Sequence, residues 1–210
     1  ESARVKDLLW AGSDDGLMHV SKDGGKNWEN VTPTGAPKWI MWNSIDPHPS
    51  IKGGAYLAGT SYKSGDYRPY LFKTTDYGKT WTSINAGIPY GAFTRVVRED
   101  PTTKDLLYAG TEKGLYLSWN GGKTWKQIFF ADENTGAAEL ALDSKNPDRL
   151  LVGMWSIHIN TWGLRSGGPG GGVYRSLDGG ETWEALSKKG LPGGENNPVG
   201  KTAVAISHSE

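Results

Sequence analysis

The sequence predicts an all-β fold, a β-propeller of four blades with four antiparallel strands in each, and three observations carry that reading. An eight-residue pattern, Ser/Thr-x-Asp-x-Gly-x-Thr-Trp, occurs four times. Its copies end at Trp28, Trp81, Trp125 and Trp183, spaced 53, 44 and 58 residues apart, a period typical of four-stranded repeat units. Glycine (30 of 210 residues) and tryptophan (10) are abundant, turn residues recur at short intervals, and no segment keeps a helical period.

Each position of the pattern has a mechanical use. The clearest copy is Ser176-Leu177-Asp178-Gly179-Gly180-Glu181-Thr182-Trp183. The short Asp side chain can accept hydrogen bonds from the backbone N–H groups of its own turn. Gly then takes a positive φ, Thr restarts an extended chain, and Trp offers a large ring to bury between sheets. The other copies run from Ser21, Thr74 and Ser118, with Asn27 in place of the second Thr and Asn120 in place of Asp. Asn120 keeps an acceptor oxygen without the charge, so that turn should still form. The pattern reads as a hairpin staple rather than an active site.

The strands follow in order. Residues 7–12, 17–21 and 27–31 form the first unit. Residues 39–45, 55–60, 70–74 and 81–85 form the second. The third comprises 93–98, 106–110, 115–118 and 124–129, and the fourth 137–142, 149–153, 172–176 and 182–186. Asp46-Pro47, Asp100-Pro101 and Asn146-Pro147 follow the opening strands, where a residue with fixed φ and no backbone donor suits a turn. One strand is left over at 201–207. Its Ala203-Val204-Ala205-Ile206 resembles the opening strands, and the first unit has none of its own. The C-terminal strand is therefore expected to pair with the N-terminal blade and close the ring, with blades at 1–32 plus 201–208, 39–86, 93–130 and 137–187. A closed monomer is the favoured arrangement; a strand-exchanged homodimer of eight blades and a piece of a larger ring are the alternatives.

Composition excludes several function classes. Lys+Arg and Asp+Glu both number 23, so no net field draws in nucleic acid or an acidic membrane. There is no cysteine for disulfides or thiol chemistry. His19, His48, His158 and His208 lack metal-ligand spacing, and neither a metal nor another cofactor is expected.

The four motifs resemble Asp-boxes, also called BNR repeats, of sialidases, sortilin-type propellers and xyloglucanases. The likeness is greatest to bacterial sortilin-like or BNR-repeat glycosyl hydrolases. Residues 8–16, the box around Asp76 and residues 96–101 are similar to later blades of that family; residues 132–138 and 170–176 are similar to early ones. The resemblance implies a propeller and a secreted or periplasmic location; the boxes themselves are not specific for any activity. The family's chains are several times longer, and its blades occur here out of order, which suggests a recombined, chimeric or engineered ring, or a rearranged natural one.

Two loops between second and third strands are long, and long loops on a rigid scaffold are where binding concentrates. The first carries Tyr62, Tyr67 and Arg68, with Tyr70 just after; the second, 155–171, carries Trp155, His158, Trp162 and Arg165. These eight are the candidate binding residues, since aromatic rings beside Arg suit the C–H faces of sugars as well as peptides. Arg95, Arg98, Glu139 and Lys201, with Glu99 just beyond, lie on or beside channel-lining strands and are expected to form ion pairs there. Glycosidase chemistry needs two carboxylates roughly 5–10 Å apart, and no spacing among Asp66, Glu99, Asp100, Asp132, Glu133 and Glu139 singles out a pair. The sequence thus favours a non-catalytic binding or scaffolding propeller for a carbohydrate or protein. A glycoside hydrolase-related propeller is the first alternative, and a recombined ring with no selected ligand the second.

Overall fold

The structure is a computed structural model that describes residues 2, 4–160 and 162–207. Among the described residues, sixteen strands arrange as four antiparallel sheets. The first holds β1 (Leu9–Gly12), β2 (Met18–Ser21) and β3 (Glu29–Asn30). The second runs β4 (Met41–Pro47), β5 (Ala55–Ser61), β6 (Asp66–Thr74) and β7 (Thr82–Ser83). The third runs β8 (Thr94–Glu99), β9 (Leu107–Thr111), β10 (Gly114–Ser118) and β11 (Lys126–Phe129). The fourth runs β12 (Thr135–Leu142), β13 (Leu150–Asn160), β15 (Gly172–Ser176) and β16 (Glu184–Ala185), with β14 (Gly163–Ser166) paired to the far half of β13. This is a four-blade β-propeller, each blade a meander from inner to outer strand. Two short 3-10 turns, Tyr62–Ser64 and Leu186–Lys189, are its helical content among the described residues.

Packing between blades supplies the core. Met18 of the first sheet meets Ile40, Trp42, Leu57 and Phe72 of the second. Tyr56, Ala58 and Leu71 meet Val97, Leu107, Ala109 and Tyr116 of the third. Val96, Tyr108, Leu115 and Leu117 meet Leu140, Leu150, Val152 and Met154 of the fourth. Burial follows: every residue of β5, β9 and β10 is buried, whereas no residue of β1 is.

The boxes work as staples, but the Ser/Thr hydroxyl does as much as the acid. In all four it is buried and accepts the N–H of the second turn residue, as Ser118 Oγ does from Gly122 at 2.9 Å. The Asp or Asn oxygen then accepts the N–H four residues on, as Asp178 does from Thr182 at 2.9 Å. Each box is also tied to the turn between inner and second strands of its blade: Gly24, Tyr77, Gly121 and Gly179 donate to the carbonyls of Asp7, Gly53, Asp105 and Asp148. Tyr77 takes a positive φ (63°) where the other boxes have Gly.

Two expectations change. The segment 155–171 is not one loop: alternation continues through Trp155, Ile157 and Ile159, so β13 extends to Asn160 and folds back as β14. The C-terminal segment does not close the ring. Among the described residues, 201–207 form no strand and the first sheet keeps three. Thr202, Val204 and Ala205 lie instead against Leu151, Gly153 and Val173, the face of the fourth sheet turned away from the third. Alternation identified the residues that face a sheet; it carried no information about which sheet. Residue 208 lies outside the described residues.

Candidate functional site

Inner-to-second turns and boxes share one face of the propeller, so the β5–β6 loop, the blade connections and the β13–β14 hairpin share the other. Tyr62 stacks on Phe93 (5.3 Å between ring centres, 21° between planes). Tyr67 approaches the same ring at 6.1 Å and meets Tyr90 edge-on at 6.2 Å. The Arg95 guanidinium then stands 5.1 Å from the Phe93 ring centre and 5.2 Å from that of Trp155. Tyr90, Tyr67, Phe93, Arg95 and Trp155 thus form a continuous row across blades two to four, with Tyr67 and Tyr90 the most open to solvent.

Carboxylates flank this row. Arg95 pairs with Glu112, Nη2 to Oε2 at 2.6 Å and Nε to Oε2 at 2.8 Å. Burial pushes the Glu112 carboxyl above the usual carboxylate range, and Arg95 opposes that rise. Asp66 has the opposite setting. Arg68 grips it with Nε at 2.9 Å and Nη2 at 2.7 Å, and Tyr70 donates its hydroxyl at 2.6 Å. The Arg68 hydrogen bonds hold Asp66 well below the usual range.

A cavity of about 550 Å³ opens beside the hairpin, lined by Asp132, Asn134, Ser156, His158 and Arg165. His158 and Arg165 sit opposite one another in the β13–β14 ladder. Trp155 Nε1 donates to Ser166 Oγ at 2.8 Å, fixing the indole against the hairpin. Trp162 is at the hairpin turn, 93% exposed.

The eight sequence-predicted residues therefore form three groups on one face. Tyr62, Tyr67 and Trp155 join the aromatic row. Arg68 and Tyr70 hold Asp66, and His158 and Arg165 line the cavity with Trp162 at its hairpin's turn. Tyr90, Phe93 and Glu112 were missed because they lie on connections outside the two long loops. The signal available was Tyr90-Gly91-Ala92-Phe93, two aromatics in a short blade connection.

The channel holds a second polar cluster, a cavity of about 260 Å³ lined by Asn43, Ser44, Arg95, Arg98, Glu139 and Lys201. Arg98 donates to Glu139 Oε1 at 2.9 Å and to Ser44 Oγ at 2.7 Å. The expected ion pair is present there, but Arg95 turns to Glu112. Glu99 turns away from the channel, into a buried site against His48 at 3.0 Å. The described residues hold no group of three or more His, Asp or Glu side chains able to ligate a metal.

The oligoxyloglucan-reducing-end-specific xyloglucanase of Emericella nidulans is 25% identical over 234 residues, covering 90% of this chain and 26% of the enzyme. A Paenibacillus xyloglucanase is 29% identical over 211 residues, covering 86% of this chain and 20% of the enzyme. Rat sortilin is 23% identical over 146 residues, 68% of this chain and 16% of the receptor. The crystal structure of an ancestral GH74 enzyme superposes with a TM-score of 0.71 at 18% identity, over 92% of this chain and 25% of that one. The chain thus spans about a quarter of the length of the xyloglucanases it matches. These relatives overturn the expectation of a non-catalytic binding or scaffolding propeller and favour its first alternative; the enzyme class they point to is glycoside hydrolase. The family profile described as "Sortilin, neurotensin receptor 3" (Sortilin-Vps10) matches residues 69–191, more than half of the chain, and the protein belongs to that family.

Proposed function

We propose that this chain is a glycoside hydrolase-type propeller that takes a xyloglucan-like β-glucan along its long-loop face. The observation that carries the reading is the row from Tyr90 to Trp155, flanked by two carboxyls whose environments push their pKa values apart. Glucan rings present flat C–H faces that stack on Tyr67, Tyr90 and Trp155, and their hydroxyls suit Arg95 and the hairpin cavity. Glu112, buried and raised, is suited to act as general acid and protonate the leaving glycosidic oxygen. Asp66, held ionised by Arg68 and Tyr70, is suited to stabilise the developing positive charge on the sugar. The xyloglucanase relatives support the substrate class.

The test is release of new reducing ends from xyloglucan oligosaccharides. The intact protein should turn them over. Glu112→Gln, which keeps an acceptor for Arg95, should lower the rate roughly 100-fold or more while leaving oligosaccharide binding intact. An unchanged rate in Glu112→Gln removes that residue from catalysis; no turnover by the intact protein removes the hydrolytic reading.

A further inference from the structure

Trp39 stands in a backbone conformation that its side chain resists. Its φ is 63°, in the left-handed region. Among the described residues three other non-glycine residues share that region, and each has a local reason. Asp7 and Asp105 are aspartates, a type that tolerates it. Tyr77 lays its ring over Gly53, where a Cβ would strike it at 2.5 Å. Trp39 has no such reason. It is 69% exposed, and among the described residues its indole makes neither a hydrogen bond nor a ring contact.

The next blade connection shows what this position otherwise holds. Pro37-Lys38-Trp39-Ile40 and Pro89-Tyr90-Gly91-Ala92 form the same turn. The Ile40 N–H donates to the Pro37 carbonyl at 3.3 Å, and the Ala92 N–H to the Pro89 carbonyl at 3.2 Å. The strand after each turn breaks register at the matching place, between Trp42 and Ser44 and between Thr94 and Val96. The third residue of the turn is Gly91 in one, at φ 88°, and Trp39 in the other. Positive φ at that position favours glycine. A bulky, exposed ring stands there against the preference of the backbone, and such strain gathers where ligands bind.

Both turns lie on the long-loop face, and each rests on the loop of the blade before it. The Gly91 N–H donates to the Tyr67 carbonyl at 3.0 Å. A Cβ on Gly16, in the turn between β1 and β2, would stand 3.2 Å from the Trp39 backbone nitrogen. In blade two the loop supplies Tyr62 and Tyr67, and the connection adds Tyr90. In blade one the turn at residues 13–16 carries no aromatic, and the connection supplies Trp39. Trp39 therefore sits one blade along from the row, one residue past the counterpart of Tyr90.

We propose that Trp39 is a further sugar-stacking residue, which extends the glucan-binding face from the Tyr90–Trp155 row toward blade one. This rests on the glucan reading of that face and adds a subsite to it. The flat indole takes the C–H face of a neutral sugar ring of the same chain, and the exposed Lys38 beside it offers a donor to the ring's hydroxyls.

Calorimetric titration with xyloglucan oligosaccharides of increasing backbone length, on the parent protein and on Trp39→Gly, tests this. Glycine suits the positive φ and removes the ring, so the unfolding midpoint should hold or rise. Affinity for long oligosaccharides should fall roughly tenfold, while affinity for the shortest one that the row binds stays the same. Trp39→Phe, which keeps a ring, should recover most of the loss. Unchanged affinity at every length in Trp39→Gly, with the parent binding, overturns the subsite and leaves the reading of the row standing. A lowered midpoint with weaker binding at every length overturns it too, since the ring would then support the fold. No binding by the parent overturns both the subsite and the glucan reading.

Discussion

The indole N–H of Trp125 donates to the Ile84 carbonyl at 2.6 Å, so the box of blade three is fastened to the outer end of blade two. Trp81 makes the same bond to Val31 at 2.7 Å. Among the described residues, the indole N–H groups of Trp28 and Trp183 donate only to Gly25 and Gly180 of their own turns. Four copies of one motif thus do two different things.

Trp125→Phe should therefore cost more than Trp28→Phe. The first leaves the Ile84 carbonyl without its donor, a loss of about 1–3 kcal/mol; the second alters an exposed residue with a local partner. Urea midpoints of the two variants measure the difference. Equal midpoints would mean that the bond between blades contributes nothing beyond ring burial.

Within the turn, the buried hydroxyl should matter more than the charge. Ser118 Oγ accepts from Gly122 at 2.9 Å and sits at full burial. Ser118→Ala should destabilise by about 1–3 kcal/mol, since the Gly122 N–H is left unpaired away from water. Asn120→Asp, which restores the acid of the other copies, should be close to neutral. Thermal unfolding of both variants checks the order, and the reverse order would return the staple to the acid alone.

The propeller was legible because boxes, Asp/Asn-Pro turns and alternating strands all act over fewer than about ten residues. Residues 172–176 were placed without error as β15. The second long loop was misjudged because Trp162-Gly163 and the following Gly/Pro run read as punctuation, while the turn is only the point where β13 folds back. The aromatic row was half legible. Tyr62, Tyr67 and Trp155 announce themselves in long loops, but Phe93 and Arg95, which join them, lie on another blade. That junction is a product of blade packing, which period and composition do not encode.

Acid dependence should show opposing contributions from half-buried Asp46 and buried His48. Burial pushes the Asp46 carboxyl up to about 6, against the pull of Arg98. A carboxyl raised on folding stabilises fully below its unfolded pKa, and that contribution is lost as pH rises from about 4 to 6. Burial drives His48 down to about 4, so its contribution is full above its ordinary value of 6.5 and is lost as pH falls toward 4. Asp46→Asn, which can still accept the Glu99 N–H, should make stability rise more steeply between pH 4 and 6 than in the parent protein. His48→Asn should do the reverse. Chemical unfolding at several pH values reads both slopes, and unchanged slopes would mean that neither group titrates differently on folding.

On the proposed function, the long-loop face and not the box face receives the sugar. The tryptophans divide between the two, with Trp155 in the aromatic row and Trp81 and Trp125 bonded beneath the boxes. Titration of the isotope-labelled protein with a xyloglucan oligosaccharide, followed through the indole N–H resonances, distinguishes them in one spectrum. The Trp155 signal should move on saturation while those of Trp81 and Trp125 stay in place. Movement of the box tryptophans with Trp155 unmoved would put the sugar on the box face, and no movement at any concentration would remove sugar binding altogether.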